Sequence, residues 1–192
     1  MSSYELLLFL HIAFAILWLG SGFFLQLLGL RADASGDAAR IKSLLDDADW
    51  ASKRLFIPSS LAVLLLGILL VLEGPWSFGE LWIVLGLAGY ALTFLTGSLV
   101  ITPQVKRISS VMERDGGMSA AAIAEVRRLF LISRVDLVVL FAVVAVMALK
   151  PTPDDVGTLV LLALAIAASA AYSIWRFVTS AAQDAAPARE TA

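Results

Sequence analysis

The stretch YELLLFLHIAFAILWLGSGFFLQLLGL, residues 4–30, carries one formal charge, Glu5, and one histidine, His11. A membrane-spanning helix needs about 20 predominantly apolar residues, and this run exceeds that. Four further runs share its character, at 56–72, 80–101, 129–149 and 156–178. The second is the shortest, close to the lower limit of roughly 17 residues. So much continuous apolar sequence in a chain of 192 residues leaves no room for a water-soluble core. The expected fold is an all-α polytopic membrane bundle with five transmembrane helices over residues 1–180. A flexible cytoplasmic tail rich in Ala, Pro, Asp, Glu and Thr should follow over 181–192.

Composition agrees. Hydrophobic residues make up 60% and charged residues 16%, with a formal net charge of −2, and the charges fall almost entirely in the connections. No basic stripe suggests nucleic-acid binding. The absence of cysteine excludes disulfides and thiolate metal ligands. The runs are too long for barrel strands and lack strict alternation. The first run is too long for an export signal and lacks a basic start, so it reads as mature structure.

Basic residues set the expected orientation. Arg31, Arg40, Lys42, Lys53 and Arg54 crowd the first connection, and Lys106, Arg107, Arg114, Arg127 and Arg128 the third. The second connection has no Lys or Arg, and the fourth has only Lys150. The alternation places the first and third connections in the cytoplasm, the N-terminus outside and the C-terminus inside, in a bacterial inner or plasma membrane. Pro58 should mark the start of the second span. Gly74 with Pro75 should close that span, Pro103 should end the third, and Pro151 with Pro153 the fourth. Short interfacial helices are expected near 39–50 and 118–129, with Gly116 and Gly117 interrupting the chain before the second.

Small residues recur every four positions at Gly89, Thr93 and Gly97 and at Ala163, Ala167 and Ala171, a spacing suited to close helix packing. Trp50, Trp76, Trp82 and Trp175 fall near span ends and read as interfacial anchors. Trp18 lies inside the first span, suited to helix packing or to facing a cofactor.

His11, in the outer half of the first span, is the leading candidate for a cofactor or proton site, with Trp18 seven residues later on about the same helix face. A neutral imidazole serves equally well as a structural hydrogen-bonding group between helices. A metal at His11 would need partners, and Met147 near the outer end of the fourth span is the best placed. Haem could use His11 with a second ligand or an open position, and no CxxCH motif is present for covalent attachment. Arg134 and Asp136 enter the fourth span near its cytoplasmic side. They are two residues apart and so do not share a helix face. Asp136 could pair with Arg54 or accept bonds from Ser59, Ser60, Tyr172 or Ser173. Gln26 and Gln104 extend this second polar layer.

The opening run LHIAFAILWLGSGFF, with His11, Trp18, Gly20 and Gly22, resembles the bacterial integral-membrane family DUF2269. The resemblance takes in the first four spans, including Pro58, Gly67, Pro103 and the Arg134 and Asp136 region, and covers the fifth less clearly. More distantly it is similar to copper-resistance D-like and protoporphyrinogen-oxidase J-like membrane proteins, a resemblance that implies metal or haem association at His11.

Three functions are compatible with this pattern. The first is a small membrane protein that binds a ligand or partner, with haem or copper at His11 as the cofactor expectation. The second is a small-molecule, ion or proton transporter with His11 and the Arg134/Asp136 layer on its path. The third is a haem-dependent redox enzyme, which would need a bound redox centre because the side chains do not supply one. No hydrolase triad or phosphate-binding loop identifies a catalytic residue. Membrane lipids are the expected partner, together with a homo-oligomer or another membrane protein.

Overall fold

The computed structural model describes residues 2–185 and is helical throughout its spans, with no strand among the described residues. Among the described residues seven α-helices follow in chain order: α1 (Ser3–Ser35), α2 (Ala38–Ala51), α3 (Ile57–Glu73), α4 (Leu81–Leu95), α5 (Thr102–Asp115), α6 (Ala120–Leu149) and α7 (Val156–Ala185). They build five continuous rods long and apolar enough to cross a membrane. Phe9, Ile16, Phe24, Leu161 and Ile174 are each about 60% exposed or more, a surface suited to lipid and ruinous in water. The flexible tail expected over 181–192 falls mostly outside the described residues, and α7 takes in its first residues to Ala185.

Local chemistry explains most boundaries. Ser2 caps α1 by accepting from the Glu5 amide, while the Glu5 carboxylate accepts from the Ser2 amide at 2.8 Å. Gly36, at φ 63°, ends α1 in the left-handed conformation that glycine adopts at no steric cost. Asp37 and Ser119 cap α2 and α6 through their side-chain oxygens. Helix α3 stops at Glu73 before Gly74 and Pro75, α5 at Asp115 before Gly116 and Gly117, and α6 at Leu149 before Pro151, each as expected.

Two prolines act differently from the expectation. Neither Pro58 nor Pro103 begins or ends a rod. The helix runs on from α2 into α3 and from α4 into α5, in each case through a π-helical turn just before the proline, at Ser52–Phe56 and Thr96–Ile101. The Ile57 amide reaches the Ser52 carbonyl and the Thr102 amide reaches the Gly97 carbonyl, five residues back. In a regular α-helix the proline ring would strike the carbonyl four residues earlier, on Arg54 or Leu99. The extra residue in the turn relieves that clash, and the rod survives. The interfacial helix expected at 39–50 is therefore the first part of a long rod, and the one expected at 118–129 is the start of α6.

Helix α1 packs on α3, α4 on α6, and α6 on α7, with α1 also crossing α6. The bundle has two unlike ends. The basic end carries α2, α5 and the start of α6. The acidic end carries Glu5, Glu73, Glu80, Asp154 and Asp155 beside Lys150. At the acidic end Ser3 donates to Glu73, and Trp76 Nε1 donates to Tyr4 Oη at 3.2 Å. At the basic end Arg127 pairs with Asp33 at 3.2 Å and Arg107 with Glu125 at 2.9 Å.

Candidate functional site

Between α1, α3, α4 and α6, toward the acidic end, lies a cavity of about 420 Å³. Its walls are overwhelmingly apolar, and His11, Trp18 and Met147 all line it. The two spans bearing these residues thus bring together all three members of the sequence-derived cofactor set. Tyr4, Trp76, Trp82 and Lys150 also line the cavity.

His11 is held by α3. Its Nδ1 lies 3.0 Å from the Val63 carbonyl oxygen. That oxygen can only accept, so Nδ1 carries the proton. Four residues beyond Val63 is Gly67, whose lack of a side chain makes room for the ring. A Cβ there would sit 3.1 Å from His11 Cε1. Met147 uses a second glycine notch, because a Cβ on Gly86 of α4 would overlap its terminal methyl. Trp18 leans on Tyr90 of α4, with ring centroids 5.6 Å apart at 60°. The Tyr90 hydroxyl is buried and has no hydrogen-bond partner among the described residues.

Lys150 caps α6 at φ 47°, a left-handed backbone rarely adopted by side-chain-bearing residues. Its ammonium lies 3.9 Å from the Trp76 ring centroid and 5.1 Å from that of Trp82. The two indoles meet edge to face at 5.2 Å. Trp82 Nε1 donates to Glu80 at 2.6 Å. Sequence reading assigned both tryptophans to the interface separately. Their convergence on one lysine depends on how three chain segments meet, which spacing does not encode.

The second polar layer does not close into a network. Gln26 Nε2 donates to the Phe130 carbonyl at 3.4 Å, Arg54 lies over Trp50 at 5.6 Å, and Arg134 lies over Tyr172 at 5.6 Å. Ser59 and Ser60 donate to carbonyls of their own rod. The partners proposed for Asp136 are therefore occupied elsewhere or, like Ser173 Oγ, unpaired. Asp136 Oδ1 is buried without a partner among the described residues. Gln104 belongs to the basic end, donating to Glu125 at 2.6 Å. A second depression there, about 490 Å³ and lined by Lys42, Asp46, Met112 and Met118, shares no residue with the first cavity.

Of the small-residue faces, Gly89 packs under Val143 and Thr93 is buried, whereas Gly97 has nothing within 4 Å of its would-be Cβ. Ala163, Ala167 and Ala171 are exposed, because α7 packs on α6 by another face.

A family model described as "Predicted integral membrane protein (DUF2269)" matches residues 5–151, about three quarters of the chain. The chain belongs to this family. The DUF2269 match runs from the first turn of α1 past the end of α6, so it takes in His11, Trp18, Gly67, Gly86, Met147 and Lys150 and stops before α7. Neither a curated protein nor a solved structure matches the chain.

Proposed function

We propose that this protein binds a small apolar molecule in the cavity at its acidic end, with His11 as the polar anchor. The observation that carries the reading is the cavity itself, about 420 Å³ and lined by His11, Trp18 and Met147. A concave, largely apolar pocket of this size with few polar groups is the usual form of a small-molecule site. The positive-inside rule assigns the basic end to the cytoplasm and the cavity to the outer leaflet, with the N-terminus outside.

A second reading, haem or copper at His11, has its own support. Donation of Nδ1 to a backbone carbonyl leaves Nε2 with a free lone pair, the arrangement common among metal-ligating histidines. Met147 adds a thioether to the same cavity. The donor set is thin, however, since no group of three or more His, Cys, Asp or Glu side chains suited to a metal exists among the described residues. Transport is favoured less, because the cavity and the basic-end depression have no lining residue in common.

The test is gentle purification of wild type and His11→Ala, followed by visible spectroscopy, metal analysis and mass spectrometry of solvent extracts, with thermal melting as a check on folding. A stoichiometric organic molecule lost selectively in folded His11→Ala supports the first reading. A Soret band or copper lost in the same way supports the second. A folded wild type free of all three that also binds no apolar probe contradicts both.

A further inference from the structure

The polar atoms around the cavity restrict the chemistry of what it can hold. Val63 O is already the helical acceptor for the Gly67 amide, and it also takes the His11 Nδ1 proton. An imidazolium here would be a charge in an apolar cavity, and His11 forms no ion pair among the described residues. The neutral ring with its proton on Nδ1 makes Nε2 a pure acceptor. Nothing among the described residues donates to Nε2. The same cavity is lined by Tyr90, whose hydroxyl is buried and unpaired. The Tyr90 hydroxyl is shut away from the free space of the cavity, so Nε2 is the acceptor that a ligand can reach.

Resting on the ligand-binding reading above, we infer that the ligand is a neutral amphiphile whose polar end is a hydroxyl, such as a long-chain alcohol, phenol or quinol. Its O–H donates to His11 Nε2 while its apolar body fills the cavity. A ketone or ether presents only lone pairs to Nε2 and loses that bond. A carboxylate adds a charge of the wrong sign for a bundle end that carries Glu5, Glu73, Glu80, Asp154 and Asp155 against Lys150. Lys150 itself is engaged over Trp76 and Trp82.

The experiment uses wild type and His11→Phe in lipid nanodiscs. Each is titrated with para-octylphenol, its methyl ether and para-octylbenzoate, and binding is read from tryptophan fluorescence, since Trp18, Trp76 and Trp82 line the cavity. Phenylalanine keeps the bulk of the ring, and Val63 O retains its helical partner. Partitioning of each probe into lipid cancels when the two proteins are compared. The expected result is a preference for phenol over ether of about tenfold in wild type, the value of one hydrogen bond, falling to near unity in His11→Phe. Equal binding of phenol and ether to wild type overturns the hydroxyl assignment and leaves the ligand site standing. A preference for the benzoate overturns it in favour of an anion. Failure of all three probes to saturate wild type overturns the ligand site and the assignment together. With binding expressed against the probe concentration in lipid, measured in protein-free nanodiscs, the wild-type comparison decides the class without relying on any variant.

Discussion

The two ends of the bundle are built on different principles. At the basic end Ala32, Ile41, Leu44, Ile108, Val126 and Leu129 form a filled core, with Ile41 and Ile108 no more than 2% exposed. At the acidic end the same four rods, there as α1, α3, α4 and α6, leave a cavity of about 420 Å³. The charged residues of α2 and α5 put the filled core at or beyond the hydrocarbon boundary, where excluding water stabilises packing. Within hydrocarbon that driving force is absent, and helices associate through close contact and polar bonds. The bundle can therefore be clamped at one end while a cavity stays open at the other.

The largest expected effect tests this division. Ile108→Ala, in the filled core, should cost about 2–5 kcal/mol. Ile12→Ala, on the cavity wall and 48% exposed, should change stability by no more than about 0.5 kcal/mol, because Ile12 meets apolar surroundings both in the bundle and in a separated helix. Reversible unfolding in mixed micelles reads both. Similar losses from the two substitutions would mean that the cavity end carries as much of the stability as the clamp.

Two glycines of α1 sharpen the comparison on a smaller scale. A Cβ on Gly29 would lie 2.6 Å from Phe130 Cε1 and 2.9 Å from Cζ, whereas one on Gly20 meets nothing within 4 Å. Gly29→Ala should destabilise by about 1–3 kcal/mol, since a rigid ring in a packed layer must move. Gly20→Ala should be neutral or stabilising by up to about 1 kcal/mol, through reduced backbone freedom in the unfolded chain. Melting temperatures of the pair in one detergent check the opposite signs. Matching destabilisation at both positions would show that α1 is packed along its whole length.

The parts of this architecture visible in the sequence are those governed by local chemistry. Apolar run length revealed the five rods, and the glycine and proline pairs after Glu73, Asp115 and Leu149 ended helices where they should. His11 and Met147 were picked out in the outer part of their spans and Trp18 on about the same helix face as His11, and all three line one cavity. Pro58 and Pro103 misled because proline is a helix breaker only if the preceding turn stays α-helical, and here it widens instead. The His11 and Val63 bond spans 52 residues of chain, and the Gly67 notch has meaning only once α1 lies on α3. The expected pairing of Asp136 failed for a related reason. Shared membrane depth does not fix which helix faces meet, and Arg54 turned to the Trp50 ring instead.

The smallest expected effect lies at the acidic end, where α6 gives way to α7. The Asp155 carboxylate accepts from both the amide and the hydroxyl of Thr152, each at 2.8 Å, and these bonds hold its pKa below the usual carboxylate range. A group whose folded-state value is depressed stabilises the fold at pH above its unfolded value and loses that contribution as pH falls through the folded one. The turn at 152–155 should therefore loosen only under acid conditions, below the ordinary carboxylate range. Asp155 is fully exposed, so solvent screening keeps the change local. Asp155→Asn keeps an oxygen to accept from the Thr152 amide but cannot titrate. Amide hydrogen exchange at Leu159, whose N–H bonds the Asp155 carbonyl at 3.1 Å, reports the turn directly after correction for intrinsic rates. Acid-induced loosening in wild type that is absent in Asp155→Asn would tie the start of α7 to this carboxylate. The same pH response in both proteins would instead assign the loosening to a different acidic group at that end of the bundle.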